Sequence, residues 1–189
     1  MEELLTMLNS IYPLSEELKN HLIQILQRRL LQEGEYLLKP GRICEHVYFV
    51  KKGLLRSYEM DENKKEINTW FMSQGDVVFA IDSFLDQTPS TEFIQALQNT
   101  TVYYITFKEL ENTFRDHITF NFNGRVLTNK YYKLSLQREK MMRIPEATDR
   151  FNYLVKHFPN LLNVVQDKHL ASFLRISPVT ISRLRAQNK

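Results

Sequence analysis

Cysteine is almost missing from this chain. Its 189 residues hold one, Cys44. A single thiol can neither close a disulfide within the chain nor supply several ligands to an iron–sulfur cluster. Long apolar runs are missing too. No stretch approaches the roughly 20 residues that a bilayer-crossing helix requires. The start, Met1-Glu2-Glu3-Leu4-Leu5, is acidic and lacks the basic, apolar build of a secretory leader. A cytoplasmic location and no membrane partner are the expectation. An excess of one charge sign is also small, with 25 Lys and Arg against 22 Asp and Glu, a net charge of +3. A polyanionic partner would therefore have to be held by a local concentration of charge.

The chemistry-bearing motifs are sparse as well. Cys44 and His46 stand two apart with no further His clustering, too few donors for a metal site, so no metal is expected. There is no His-x-His of the kind a metal-binding cupin uses. There is no glycine-rich phosphate loop and no nucleophile elbow. No catalytic set and no cofactor are expected, and the chain does not read as an enzyme.

Aromatics, by contrast, reach 12%, with 12 Phe and 9 Tyr, which suits β-rich packing. Residues 1 to about 30 read as helical, with Ser15 as a cap and Leu18, Leu22, Ile25 and Leu26 on one face. From about 31 to 106 short β-type runs take over: Glu35–Leu38, His46–Val50, Leu54–Tyr58, Glu66–Phe71 and Thr101–Ile105. Gly34, Gly41, Gly53 and Gly75 fall at the corners between them, as a compact roll demands. Helical patterning returns at Phe107–Arg115 and about 117–142. In the longer helix Phe120, Leu127, Leu134 and Met141 recur every seventh residue, while the second seam position falls on residues such as Asn123 and Lys130. That pattern fits a dimerisation helix and a helix packed only on its own domain equally well. Pro145 then interrupts the pattern and marks a hinge.

The most specific signal lies at Gln166–Arg185. Two helices joined by a tight turn need apolar contacts at fixed offsets. Leu170 and Leu174 would line the first helix, Ile176 would plug the turn, and Ile181 and Leu184 would line the second. Ala171 is small where the helices approach. Ser177 is a good N-cap and Pro178 suits the first helical position. The outward face then offers Ser177, Val179, Thr180, Ser182, Arg183 and Arg185 to double-stranded DNA. Arg183 suits guanine, Val179 a thymine methyl, and Ser177, Thr180 and Ser182 suit phosphates. Lys168, Arg175, Arg183, Arg185 and Lys189 face only Asp167 here, a positive end to a nearly neutral chain. At the turn, Arg175 stands where glycine is usual, at a cost of about 1 kcal/mol for a left-handed residue.

On these residues, with Glu45–Arg56 as a strand–turn–strand and Gly75-Asp76 as the entry to a phosphate-binding cassette, the chain resembles the Crp/Fnr superfamily of bacterial transcription regulators. The resemblance implies an α+β protein. Its parts would be an N-terminal β-roll (a jelly roll of the cyclic nucleotide-binding type) with flanking helices over 1–116, a long dimerisation helix over 117–142, and a small all-α helix-turn-helix domain over 143–189. It implies a homodimer that binds DNA in a sequence-specific way to regulate transcription. The β-hairpin wing that follows the recognition helix in that family is not expected, because the sequence stops at Lys189. Members that bind cyclic AMP carry a glutamate for the ribose and an arginine for the phosphate. Aligned from Gly75, those positions hold Ala80 and Ser90, and only Thr91 keeps a hydroxyl neighbour. Losing the arginine alone costs about one to two decades of affinity, and Asp82 and Glu92 would repel a phosphate. Cyclic AMP is therefore not the expected ligand, and an unidentified small-molecule effector stays open. The competing expectation is a small-molecule or cyclic-nucleotide binding module without DNA function.

Overall fold

The computed structural model describes residues 1–187. The chain divides into two compact units. One is formed by Met1–Ser57 with Met72–Thr128, the other by Tyr58–Phe71 with Asn129 onward.

The first unit opens with helices α1 (Glu2–Ile11) and α2 (Glu16–Ile25). α1 stops at Tyr12, which is extended because Pro13 follows it. Ser15 caps α2, its hydroxyl accepting the Leu18 N–H at 3.1 Å, as expected. α2 then ends at Ile25, and Gln27–Leu31 forms strand β1, which corrects the helical reading of this stretch. Glutamine, arginine and leucine all favour helix, but pairing with a neighbouring strand overrides that preference. The strands that follow are β2 (Tyr36–Leu38), β3 (His46–Lys52), β4 (Leu54–Met60), β5 (Glu66–Ser73), β6 (Val77–Val78), β7 (Phe93–Ala96) and β8 (Thr100–Thr106). A short helix, α3 (Ile81–Asp86), separates β6 from β7. Among the described residues they build two four-stranded sheets, ordered β1-β8-β3-β6 and β2-β7-β4-β5. β8 is the centre of the first, antiparallel to both β1 and β3, with Val50 opposite Val102. β1 is an edge, and its charged Arg28 and Arg29 are exposed, as suits an edge strand.

Gly53 turns β3 into β4 at φ +109°, where an added Cβ would lie 2.3 Å from Thr100 Oγ1 and 2.7 Å from Thr100 Cα. Helix α4 (Phe107–Asp116) starts with a capping box between Thr106 and Glu109. The long helix α5 (Phe120–Met142) begins in this unit. Leu4, Leu8, Leu18, Leu22, Phe49, Tyr103 and Phe120 make one apolar cluster between the helices and the first sheet. Asn123 is buried and donates to the Leu8 carbonyl at 2.6 Å.

The rest of α5 belongs to the second unit, with α6 (Ala147–His157), α7 (Pro159–Val164), α8 (Asp167–Leu174) and α9 (Pro178–Gln187). Its core includes Phe151, Leu154, Leu170, Phe173, Leu174, Ile181 and Leu184, each no more than 2% exposed. The leucine and isoleucine positions expected to line the two terminal helices are all among them.

The heptad on α5 is buried at its two ends and half-buried at Leu127 and Leu134. Phe120 and Met141 are 6% and 0% exposed, buried in their own chain. The exposed apolar residues are Phe122, Val126, Tyr132 and Leu136. At about 100° per residue they fall within an arc of about 120°, roughly opposite the Phe120–Met141 face. The seven-residue repeat seen in the sequence is thus the more buried side of α5, and a second, more exposed stripe lies across from it.

Candidate nucleic-acid interface

α8 and α9 are joined by a short turn, Arg175-Ile176-Ser177, whose geometry comes from Arg175. Its φ of 53° and ψ of 49° place it in the left-handed region. Its N–H reaches the Ser172 carbonyl at 3.2 Å, and the Ile176 N–H reaches that of Ala171 at 2.9 Å. Those two bonds make a Schellman ending, closed here by arginine instead of glycine. α9 then starts on Ser177, whose hydroxyl accepts the Thr180 N–H at 3.1 Å. Pro178, at the first helical position, has no N–H to leave unpaired.

The expected site residues separate into two groups. Val179, 78% exposed, stands with exposed Ser182 and Arg183 on the outer side of α9. Ser177 is exposed, but its hydroxyl is occupied as the cap and lies 2.8 Å from the Thr180 hydroxyl, so those two support the helix start. Arg185 is turned inward. It lies 2.8 Å from the Asp167 carboxylate and donates to the Val165 carbonyl at 3.3 Å. That pair ties α9 to the first turn of α8. Lys168 and Arg175 are exposed. Lys189 lies outside the described residues.

Arg150 is a further contributor, not singled out in the sequence. Its guanidinium donates to three carbonyls: Ile144 and Pro145, each at 2.7 Å, and Leu174 at 3.1 Å. It therefore fastens the segment after α5 to the last residue of α8. The sequence signal available was only its place near the start of a helix after a proline.

The cassette of the first unit is closed on itself. Gly75 has φ +89°, and Asp76 accepts the Ser73 N–H at 2.9 Å. Ala80, 2% exposed, directs its N–H to the Cys44 sulfur at 3.4 Å. Ser90, 6% exposed, accepts the Glu92 N–H on its hydroxyl at 2.9 Å. Thr91 is exposed. So Ala80 presents a buried methyl, and Ser90 presents a hydroxyl bonded within its own turn. A buried arginine does exist in the roll. Arg56, 4% exposed, donates through Nε and Nη2 to Gln95 Oε1 at 3.1 and 2.7 Å. Burial pushes the Cys44 thiol up in pKa. His46 packs its ring on Tyr48 and Tyr104 at 5.8 and 5.1 Å. Among the described residues no group of three or more His, Cys, Asp or Glu is placed to hold a metal ion. No helix among them is long and apolar enough to cross a membrane.

Comparison with known proteins gives the class first. Residues 28–117 match the family model of the cyclic nucleotide-binding domain. The chain is also 33% identical, over 103 residues, to the fumarate and nitrate reduction regulatory protein of Vibrio cholerae serotype O1, a match covering 53% of this chain and 40% of that protein. The chain thus spans about two fifths of the length of the curated relatives it matches. Its fold is that of FixK2 from Bradyrhizobium japonicum (TM-score 0.73, 16% identity, 86% of this chain and 84% of that one). It is also that of a CooA variant from Carboxydothermus hydrogenoformans (TM-score 0.71, 20% identity, 97% and 83%). The cyclic nucleotide-binding match covers residues 28–117, and the likeness to the solved structures shows a shared fold.

Proposed function

We propose that the protein is a homodimeric, sequence-specific DNA-binding transcription regulator that acts without catalysis and does not respond to cyclic AMP. One observation carries the reading. A capped helix, α9, buries Ile181 and Leu184 and turns Val179, Ser182 and Arg183 outward beside exposed Lys168 and Arg175. An outer face with one bidentate donor, one hydroxyl and one small apolar group suits base edges in a major groove, and the flanking cations suit phosphates. The relatives' regulatory names agree with it.

The exposed stripe of α5 supports the dimer. Phe122, Val126, Tyr132 and Leu136 form one apolar face on a helix of 23 residues, long enough to pair with its copy. The working division is a sensor roll over 1–116, this helix over 117–142 and the DNA-binding part from 143. Two recognition helices of a dimer would enter successive major grooves about 34 Å apart. Selection of bound duplexes from a random pool tests the proposal. The expected outcome is a two-fold symmetric site, and a pool that stays unenriched refutes it.

The cassette supports independence from cyclic AMP, since Ala80 and Ser90 supply neither the carboxylate nor the guanidinium that such a ligand uses. Calorimetry with cyclic AMP is expected to show no binding, and micromolar affinity would refute this part alone. An effector of other chemistry remains part of the proposal.

A further inference from the structure

β5 is the last strand of its sheet, so the backbone groups on its outer side need partners from elsewhere. Within the second unit, α8 supplies them. The Ser172 hydroxyl donates to the Glu66 carbonyl at 2.7 Å and accepts the Asn68 N–H at 3.0 Å. In a parallel sheet, one residue of the neighbouring strand bonds the carbonyl and the N–H on either side of the residue facing it. The Ser172 hydroxyl does the same around Ile67, as a one-residue substitute for a strand. Asn68, 1% exposed, adds a bond from its side-chain nitrogen to the His169 carbonyl at 3.2 Å. Beside this clasp, the ring of Phe71 meets that of Phe173 edge to face at 5.3 Å, and the Arg138 guanidinium lies over Phe173 at 5.4 Å.

The partners are the first helix of the helix-turn-helix and a strand that the sheet order assigns to the sensor roll. β5 runs from Glu66 in the second unit to Ser73 in the first. α8 is joined to α9 through the Arg175 turn and the Arg185–Asp167 pair, so whatever orients α8 orients the recognition helix. We infer that Ser172 and Asn68 are positioning residues, which seat α8 on the outer edge of β5 and so set where the recognition helix stands in the dimer. The inference rests on the DNA-binding reading above.

Ser172→Ala removes both hydroxyl bonds at almost constant volume, and Ser172→Thr keeps the hydroxyl. The tests use the full chain as its dimer. Amide exchange at Asn68 is expected to accelerate about tenfold in Ser172→Ala and to return towards wild type in Ser172→Thr. The second readout uses the duplex recovered by selection and two derivatives, with one base pair inserted or removed between half-sites. Wild type should penalise the derivatives, and Ser172→Ala should shrink that penalty about fivefold, with Ser172→Thr restoring it. Loss of stability alone would weaken all three duplexes alike. A spacing penalty that is the same in Ser172→Ala as in wild type overturns the inference, as does unchanged Asn68 exchange. A wild-type chain that recovers no two-half-site duplex overturns the regulator reading itself, a distinct result.

Discussion

Arg183 and Arg185 are two residues apart on one short helix, and the structure assigns them opposite work. Arg183 is exposed on the outer face, while Arg185 is paired with Asp167 at 2.8 Å and reaches the Val165 carbonyl. Truncating each to alanine should therefore give different signatures. A bidentate arginine–guanine contact contributes about 1–3 kcal/mol of discrimination, roughly 5- to 150-fold in affinity for the preferred duplex. Arg183→Ala should lose that factor on the selected duplex and much less on a duplex with the contacted base pair changed. Arg185→Ala removes an ion pair whose side chains are 31% and 39% exposed, so solvent screening limits its stabilisation to about 0.5–1 kcal/mol. Its effect on binding should be the same for every sequence. Fluorescence anisotropy on both duplexes between about 50 and 200 mM salt separates the cases, because a lost phosphate contact flattens the logarithmic salt slope by about 0.9. If Arg185→Ala abolished base preference while Arg183→Ala changed only the salt slope, α9 would present a different face, and the proposed interface would be wrong.

Three further outcomes follow from the geometry. Gly53→Ala combines a left-handed backbone with overlap on Thr100 and should cost about 2–4 kcal/mol in urea unfolding, whereas Gly41→Ala, with open space around it at φ +80°, should cost about 1 kcal/mol; equal losses would refute the packing argument. Burial pushes the Tyr48 phenol up to about 12, above the usual value of about 10, so the folded chain binds the extra proton. Its contribution is intact below about pH 10 and disappears as pH rises towards 12, for a loss of about 2–3 kcal/mol; Tyr48→Phe should flatten that part of the stability–pH curve, and an unchanged slope would count against the assignment. Finally, Tyr132→Lys with Leu136→Lys should convert a dimer to a monomer in sedimentation, while Ser135→Lys should not; a double variant that stays dimeric would place the interface elsewhere.

The strands beginning at His46, Leu54, Glu66 and Thr100 were legible in the sequence as short apolar, β-branched or aromatic runs separated by turn residues. Gln27–Leu31 was not, since every residue there tolerates a helix and only its partner β8 makes it a strand. Phe93–Ala96 lies hidden for a related reason. It is four residues long, flanked by polar loop, and pairs with a three-residue strand. The recurring heptad on α5 was visible but did not show whether it met its own chain or a second copy. An apolar stripe has the same spacing whether it meets its own chain or a second one, and only the burial of Phe120 and Met141 tells which.

The same distinction between local and distant causes runs through the candidate site. The cap at Ser177, the proline after it and the apolar offsets around the turn act within a few residues, so the helix-turn-helix could be read directly. What orients that motif comes from far away in the chain. Arg150 reaches Leu174 across 24 residues, and Ser172 reaches Glu66 across 106. Neither carries a mark in the sequence beyond an ordinary arginine and an ordinary serine. Recognition chemistry must lie on a short contiguous surface to enter a groove, so it leaves a local pattern. Control of that surface requires connection to a distant part of the fold, and such a connection appears only when the distant parts are brought together. A variant that keeps α9 intact yet shifts its DNA spacing would therefore be sought first at Ser172, Asn68 and Arg150, and last among the residues of α9 itself.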